Sequence, residues 1–549
     1  MKVALAQFNP LIGDIEGNTA SMRQYIASAA ERGAELVVFS ELSTVGYPPR
    51  DLLLDPRMVA ENVEAVEALA QDCRNIAAVV GFARPAAQGP GPPLEDAAAV
   101  LADGKVQSVH VKALLPNYDV YDDPCYFRAG AGPACSRVGN CRFGVAICED
   151  LWDAEALGRD LYGVDPMERL MREEVRVIIN IAASGYQRRK VIQREELFTR
   201  QSRRSNAAIL YVNQVGGNDE MIFDGGSCAV SPTGELLARA ASFREDMVIV
   251  DTDAGPASCE LLADEMARLA EALRLGLHDY VRKGDFRGVV VALADDLNSA
   301  VVATLAVEAV GSQSVRALAL PGRDGSGETT AEVRQLAEDL GLALDVLPIE
   351  PVYRKLESLL GGALAGRLPE DEIHARVRAN VLATCAETAG CLVLVPSSKS
   401  DLALGRCVPV GGAPGAMAPI GDLFERDVCQ LAERLNAGGA RIPGRMLAGA
   451  RETRTDERLG EILRRYIEKN RLADPIVGEG FDAETVRDVI RRVDCAEYKR
   501  KQAPVVLKVT SRAFGAGRRM PVARRYAWPV DRIEKTDQPT HSNGVCEDA

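Results

Sequence analysis

Short unbroken apolar blocks alternate along this chain with longer stretches in which apolar residues return at helical spacing. VALAQ (3–7), LVVFSE (36–41), IAAVVGFA (76–83), AAAVLA (97–102), GVAIC (144–148), VIINIAA (177–183), AILYVNQ (208–214) and VIVDTD (248–253) predict strands. Helices are predicted over 18–32, with Asn18 as cap and Ile26, Ala29 and Ala30 on the apolar side, and over 57–73 and 187–205. Gly13–Gly17 reads as a turn. Strands and helices alternating in this way predict one large α/β layered domain over residues 1–253.

The pattern breaks at Gly255–Pro256–Ala257. An amphipathic helix is predicted over 259–283, then a strand in RGVVVALADD running into a turn, then a helix from Asn298 to Val310. VRALALP, LALDVLPI and CLVLVP continue the β-α-β alternation, which describes a doubly wound parallel sheet over 254–533. A helical C-terminal section ends in the basic stretch YKRKQAPVVLKVTSRAFGAGRRMP, and the polar residues 534–549 predict a disordered tail.

Composition narrows the function classes. The chain has 549 residues, more than one core usually serves, with 47% hydrophobic residues to fill two. A net charge of -14 argues against a nucleic-acid partner or a polybasic membrane surface. No apolar run reaches the length of a membrane span, and MKVALAQFNPLIGD lacks the features of a signal peptide, so a cytoplasmic protein is expected. The 13 cysteines are scattered without a C-x-x-C pair, which argues for reduced thiols. The four histidines, His110, His278, His374 and His541, lie at no ligand spacing, so neither a metal site nor a histidine triad is expected.

Catalysis must then use other bases, and three predicted strand ends supply them: ELSTVGYPPRDLL opens at Glu41, VKALLPNYDVYDD contains Lys112, and GVAICEDLW contains Cys148. A thiol is a poor nucleophile until a base takes its proton. A lysine ammonium can stabilise the oxyanion formed when sulfur attacks an amide carbon. Singly, each residue is commonplace, a core thiol or a surface charge. The flanking sequence is not. AQFNPLIGDIEGN, ELSTVGYPPRDLLL, KALLPNYDVYDD, FGVAICEDLW, NIAASGY and VGGNDEMIFDGGS fall in the order of the glutamine-dependent NAD+ synthetase family. The first domain resembles that family's glutaminase domain, a nitrilase-superfamily αββα fold. The resemblance implies a catalytic triad of Glu41, Lys112 and Cys148, and a glutamine site with Tyr118, Ser184 and Lys190. Gly185 and Gln187 depart from the usual Pro and His after Ser184, and Asp123 stands where Glu is common.

LGLHDYVRKGDFRGVVVAL, SKSDLALGRC, AMAPIGDLFERDV and the C-terminal basic stretch resemble the family's NAD+ synthetase domain, an adenine nucleotide alpha-hydrolase-like fold. Its S-G-G-x-D-S phosphate loop appears here as Ala294, Asp295, Asp296, Leu297, Asn298, Ser299. Glycines there let backbone N–H groups approach pyrophosphate. Each aspartate facing a phosphate charge at ~4 Å would cost about 4 kcal/mol at an effective dielectric near 20. T-G-N-K-S-E appears as Pro396, Ser397, Ser398, Lys399, Ser400, Asp401, and Y-G-D-M as Val410, Gly411, Gly412, Ala413. N-Q-A-R appears as Ile373, His374, Ala375, Arg376, and AGARETRTDERLG stands where an acidic segment is expected. GRDGSGET (322–329) has Walker A spacing, but Glu328 holds the lysine position.

The expectation is a glutamine amidohydrolase whose degenerate synthetase domain persists as a scaffold or docking domain. Its ammonia would pass to a partner enzyme or an altered acceptor, and the family implies a homo-oligomer. The amidase needs no cofactor; ATP and Mg2+ enter only if the synthetase domain is active. The alternatives are a functional glutamine-dependent NAD+ synthetase and a non-catalytic scaffold or sensor.

Overall fold

The apolar blocks of the first half are strands covered on both faces. The computed structural model describes residues 1–256, 259, 262–322, 331–364, 370–406, 416–439, 441–452 and 457–524. The chain divides into two units, Met1–Glu265 and Met266–Ala549. The first unit contains β1 (Lys2–Gln7), β2 (Leu36–Val38), β3 (Ala77–Pro85), β4 (Leu94–Ala102), β5 (Lys105–Val111), β6 (Ala134–Val138) and β7 (Cys141–Ile147). It continues with β8 (Val177–Ala182), β9 (Ala208–Asn213), β10 (Val215–Asn218), β11 (Met221–Asp224), β12 (Cys228–Val230), β13 (Leu236–Arg239) and β14 (Asp246–Asp251).

These strands build two six-stranded sheets, β14-β1-β2-β3-β4-β5 and β13-β12-β9-β8-β7-β6, plus the β10-β11 hairpin. Side chains alternate across a strand, and β1 uses both faces. Val3 and Leu5 meet Val145, Ile147, Ile179 and Ile181 in the core shared by the two sheets. Ala4 and Ala6 join Met22 and Ile26 of α1 (Ile15–Glu31), and Val66 and Leu69 of α2 (Pro56–Asp72), on the opposite face. Leu197 and Phe198 of α3 (Lys190–Ser205) pack on the second sheet, which completes four layers, αββα.

Several elements depart from the sequence expectation for local reasons. Asp14, not Asn18, caps α1 by accepting the Gly17 N–H. Asn18 is buried one turn in, its amide donating to the carbonyls of Leu11 and Thr44. The strand expected through Glu41 stops at Val38, and the chain turns over β3 instead. Gly81 permits that crossing, since a Cβ there would lie 2.4 Å from the Ser40 carbonyl oxygen. Strand β5 was hidden because it is half exposed and polar at alternate positions.

The second unit holds β15 (Val289–Ala292), β16 (Val315–Ala319), β17 (Leu344–Val346), β18 (Leu392–Leu394), β19 (Ala416–Ala418) and β20 (Val505–Val506). All pair in parallel in the order β17-β16-β15-β18-β19-β20, a doubly wound sheet that reverses direction between β15 and β18. Helix α4 (Glu265–Lys283) starts six positions later than its pattern suggested, and α5 (Leu297–Val310) follows β15. The tail 534–549, most of the GRDGSGET stretch and Val410–Ala413 lie outside the described residues. No helix among the described residues is long and apolar enough to cross a membrane. Among the described residues ten cysteines are free thiols, whereas Cys495 is disulfide-bonded, which departs from the reduced thiols expected from the sequence.

One buried ion pair ties α3 to the β10-β11 hairpin. Arg194, 2% exposed, donates to both oxygens of Asp224, at 2.9 Å and 2.5 Å. Asp224→Asn leaves that guanidinium buried without its counter-charge. We expect a loss of about 3–5 kcal/mol in the first unit's unfolding transition, measured by denaturant titration of the full chain.

Candidate active site

The fold brings three strand ends to one point between the facing sheets. Glu41 follows β2, Lys112 follows β5, and Cys148 follows β7. They are 0%, 1% and 8% exposed, so the space around the three is almost dry. Cys148 has φ of +42° at the first position of a one-turn 3-10 helix, a conformation that costs a residue with a Cβ about 1–3 kcal/mol. Asp150 secures it. Its carboxylate accepts N–H bonds from Ile147 (3.3 Å), Ala113 (3.0 Å) and Leu114 (2.9 Å), which joins the Cys148 turn to the Lys112 segment.

Lys112 Nζ donates to Glu41 Oε1 at 2.5 Å and to Asp123 Oδ2 at 2.7 Å, and lies 3.4 Å from Asp96 Oδ2. Glu41 Oε2 accepts the Ala183 N–H at 2.8 Å, and Asp123 Oδ1 accepts the Tyr47 hydroxyl at 2.9 Å. Burial by itself would discharge Lys112, but Asp123 and Glu41 hold its ammonium well above the ordinary lysine value. Burial acts to raise Glu41 as well; the Lys112 charge and its hydrogen bonds outweigh that and leave it below the ordinary carboxylate value. Burial and the Glu41 charge push the Cys148 thiol well above its usual range, against the pull of Lys112. The resting site is therefore a neutral thiol, an ionised carboxylate and an ammonium. Such an arrangement can run general-base chemistry on sulfur, with a cation waiting for the developing oxyanion.

The residues expected to hold glutamine cluster around the same cleft. Tyr118 donates to Glu149 Oε1 at 2.9 Å, as does Tyr162. The backbone of Ser184 is fixed by Asn213, whose side chain accepts its N–H at 2.8 Å and donates to its carbonyl at 3.2 Å. Lys190 Nζ donates to the Gly185 carbonyl at 3.2 Å and faces the rings of Tyr121 and Trp152. Sequence reasoning passed over Tyr121, whose hydroxyl accepts the Gly185 N–H at 3.3 Å and whose ring packs against Tyr47 and Tyr118. It also passed over Asp96, Glu149 and Asp150. The carboxylates of ED in AICEDLW carried a signal, being charged residues inside an apolar strand end.

In the second unit the loop after β15 and the Pro396–Asp401 segment after β18 flank the point where the sheet reverses. That is where doubly wound folds bind ligands. Asp296 caps α5, its Oδ1 accepting the Ser299 N–H at 2.8 Å. Ser299 turns its hydroxyl to the loop's own carbonyls, at Ala294 (3.0 Å) and Asp296 (3.1 Å). Asn298 reaches Asp401 at 3.4 Å, and Ala294 and Asp295 are exposed. Lys399 is fully buried, engaged by Asp422 (2.8 Å), Glu468 (2.7 Å), Thr510 (2.8 Å) and the Arg512 carbonyl (2.8 Å).

Comparison with known proteins gives two family matches, carbon-nitrogen hydrolase over residues 2–258 and NAD synthase over residues 269–503. The glutamine-dependent NAD(+) synthetase of Synechocystis sp. is 35% identical, covering 95% of this chain and 99% of the relative. That of Thermotoga maritima is 33% identical, covering 96% and 100%. The solved glutamine-dependent NAD+ synthetase of Acinetobacter baumannii, in complex with ADP, is 32% identical over 95% of this chain and 98% of that one, with a TM-score of 0.75. A synthetase structure from Cytophaga hutchinsonii, 18% identical, shares the fold over 95% and 97% of the two chains with a TM-score of 0.83.

A neutral resting thiol has a direct readout. We expect the ultraviolet thiolate absorbance of the protein minus that of Cys148→Ala to stay flat up to about pH 9, past the free-thiol value near 8.5. A titration near neutrality would show a preformed thiolate instead.

Proposed function

This chain belongs to the glutamine-dependent NAD+ synthetase family, and we propose that its first unit hydrolyses the side-chain amide of glutamine at Cys148. One observation carries the reading: Glu41 is pinned between Lys112 Nζ and the Ala183 N–H in a buried cluster whose charges act directly on the Cys148 thiol. Glu41 takes the thiol proton as sulfur bonds to the amide carbon. Lys112 meets the negative charge that develops on the amide oxygen. Collapse of that adduct breaks the C–N bond, and Glu41 returns the proton to the departing ammonia. Glu41 then deprotonates a water that attacks the thioester; glutamate leaves and the thiol regains its proton. Tyr118, Ser184 and Lys190 hold the amino-acid end of the substrate, the lysine matching its carboxylate.

For the second unit, similarity to full-length synthetases supports amidation of deamido-NAD+ by that ammonia, with ATP and Mg2+. A second reading, in which this step is lost and the unit serves as a scaffold or docking domain, is favoured by the loop after β15. Asp296 already fills the helix N-terminus that a phosphate would need, and the exposed Asp295 adds further negative charge. A triphosphate there would meet the Asp296 carboxylate at the helix N-terminus.

Cys148→Ala should abolish glutamate release. Lys112→Ala should cost about 2.7–4 kcal/mol in turnover. Glu41→Gln should slow acylation while leaving glutamine affinity largely unchanged, as read by single-turnover kinetics and calorimetry. Full hydrolysis by Cys148→Ala would sink the assignment. For the second unit, NAD+ formation from deamido-NAD+, MgATP and either glutamine or ammonium decides between the readings: robust ATP-dependent synthesis establishes the full family reaction, and glutamate release without it establishes the second.

A further inference from the structure

Lys112 is ringed by the carboxyl groups of Glu41, Asp96 and Asp123, whose oxygens lie within 4.8 Å of one another. Three carboxylates against one ammonium would leave two uncompensated charges in a site that is almost fully buried. Such an excess is costly in a dry interior, and the usual relief is for one acid to keep its proton.

The hydrogen bonds identify which one. Glu41 receives two donors, Lys112 Nζ and the Ala183 N–H. Asp123 also receives two, Lys112 Nζ and the Tyr47 hydroxyl. Asp96 is 0% exposed, and neither of its carboxyl oxygens receives a hydrogen bond. Its backbone is not at fault, since its carbonyl accepts the Lys112 N–H at 3.0 Å as part of the β4–β5 edge. An ionised carboxylate without a donor is the most expensive member of the cluster; a protonated one gains an O–H to give, with Glu41 in reach.

We propose that Asp96 is a proton-bearing positioning residue in the working enzyme, donating its O–H to Glu41 and holding that base ionised and oriented for Cys148. Burial and the Glu41 charge raise Asp96 well above the carboxylate range. A hydrogen bond from Asp96 is among the influences that lower Glu41. Burial lifts Asp123 too, opposed by Lys112 and the Tyr47 hydroxyl. The groups facing Asp96 are Glu41 after β2, Lys112 after β5 and Asp123 beyond it, with Cys148 after β7 next to that set. Loss of the Asp96 proton at high pH would add a third carboxylate charge to the cluster and drain the field that Lys112 offers the oxyanion. The enzyme would then carry an alkaline limb belonging to Asp96.

The inference deepens the amidase reading and rests on it for its kinetic arm only. In the infrared difference spectrum of the full chain minus Asp96→Asn at neutral pH, we expect the carbonyl stretch of a buried protonated carboxylic acid. Its absence overturns the proposal whatever the activity. In the pH profile of glutamine hydrolysis, Asp96→Asn, a permanently neutral donor, should stay within about threefold of the parent and lose the alkaline limb. Asp96→Ala should fall by about ten- to a hundredfold, mainly in kcat, as expected when a hydrogen bond to a charged group is lost. Asp96→Ala matching the parent, or Asp96→Asn falling as far as Asp96→Ala, overturns it. A parent protein that hydrolyses no glutamine would defeat the amidase reading while the infrared band still decides where the proton sits.

Discussion

The first unit depends on keeping one ammonium charged where there is almost no water. Lys112 would lose its proton at that depth without Asp123 and Glu41 against it, and Glu41 would gain one without Lys112. Neither charge is stable alone, so the two sheets must close on both at once. That requirement explains why the residues sit at strand ends. Only there can three different strands point side chains into one space while their backbones remain fully paired. The same closure pushes the thiol above its usual range, so in the proposed reaction the carboxylate acts as a base by position rather than by unusual strength.

Much of this was legible in the sequence. Apolar blocks marked the central strands of both units, and Glu41 and Cys148 were visible as a charge and a thiol closing apolar runs, whereas Lys112 was marked only by its flanking motif. Edge strands such as β5 escaped because half exposure replaces the apolar block with a mixed one. Asn18 looked like a cap because its type favours caps, yet Asp14 offered a carboxylate one turn earlier. Asp96 could not be read at all. In LEDAAAVLA it is one of two adjacent acidic residues before an apolar run, and only the pairing of β4 with β5 sets it beside Lys112. Asp150 stood out as a charge at an apolar strand end, but its role, accepting backbone N–H groups, is one that no side-chain pattern announces.

In the second unit, different residues build the fold and line the crevice. The sheet order and its reversal between β15 and β18 are those of a nucleotide-binding architecture, and apolar residues such as Val290, Leu318 and Val393 build its core without reference to the crevice. Fold alone does not carry function across such a scaffold. Lys399 illustrates the point: a cation next to the crevice in sequence is spent entirely on Asp422, Glu468 and Thr510 inside the protein.

The cap that Asp296 places on α5 also bears on how the turn before it holds its shape. An aspartate at a helix N-cap stabilises the helix more than glycine does, by a few tenths of a kcal/mol, and glycine adds backbone entropy to be lost on folding. The carboxylate that closes this helix end belongs to the chain itself, and the Ser299 hydroxyl ties back to the same turn, so the loop after β15 is ordered by its own residues.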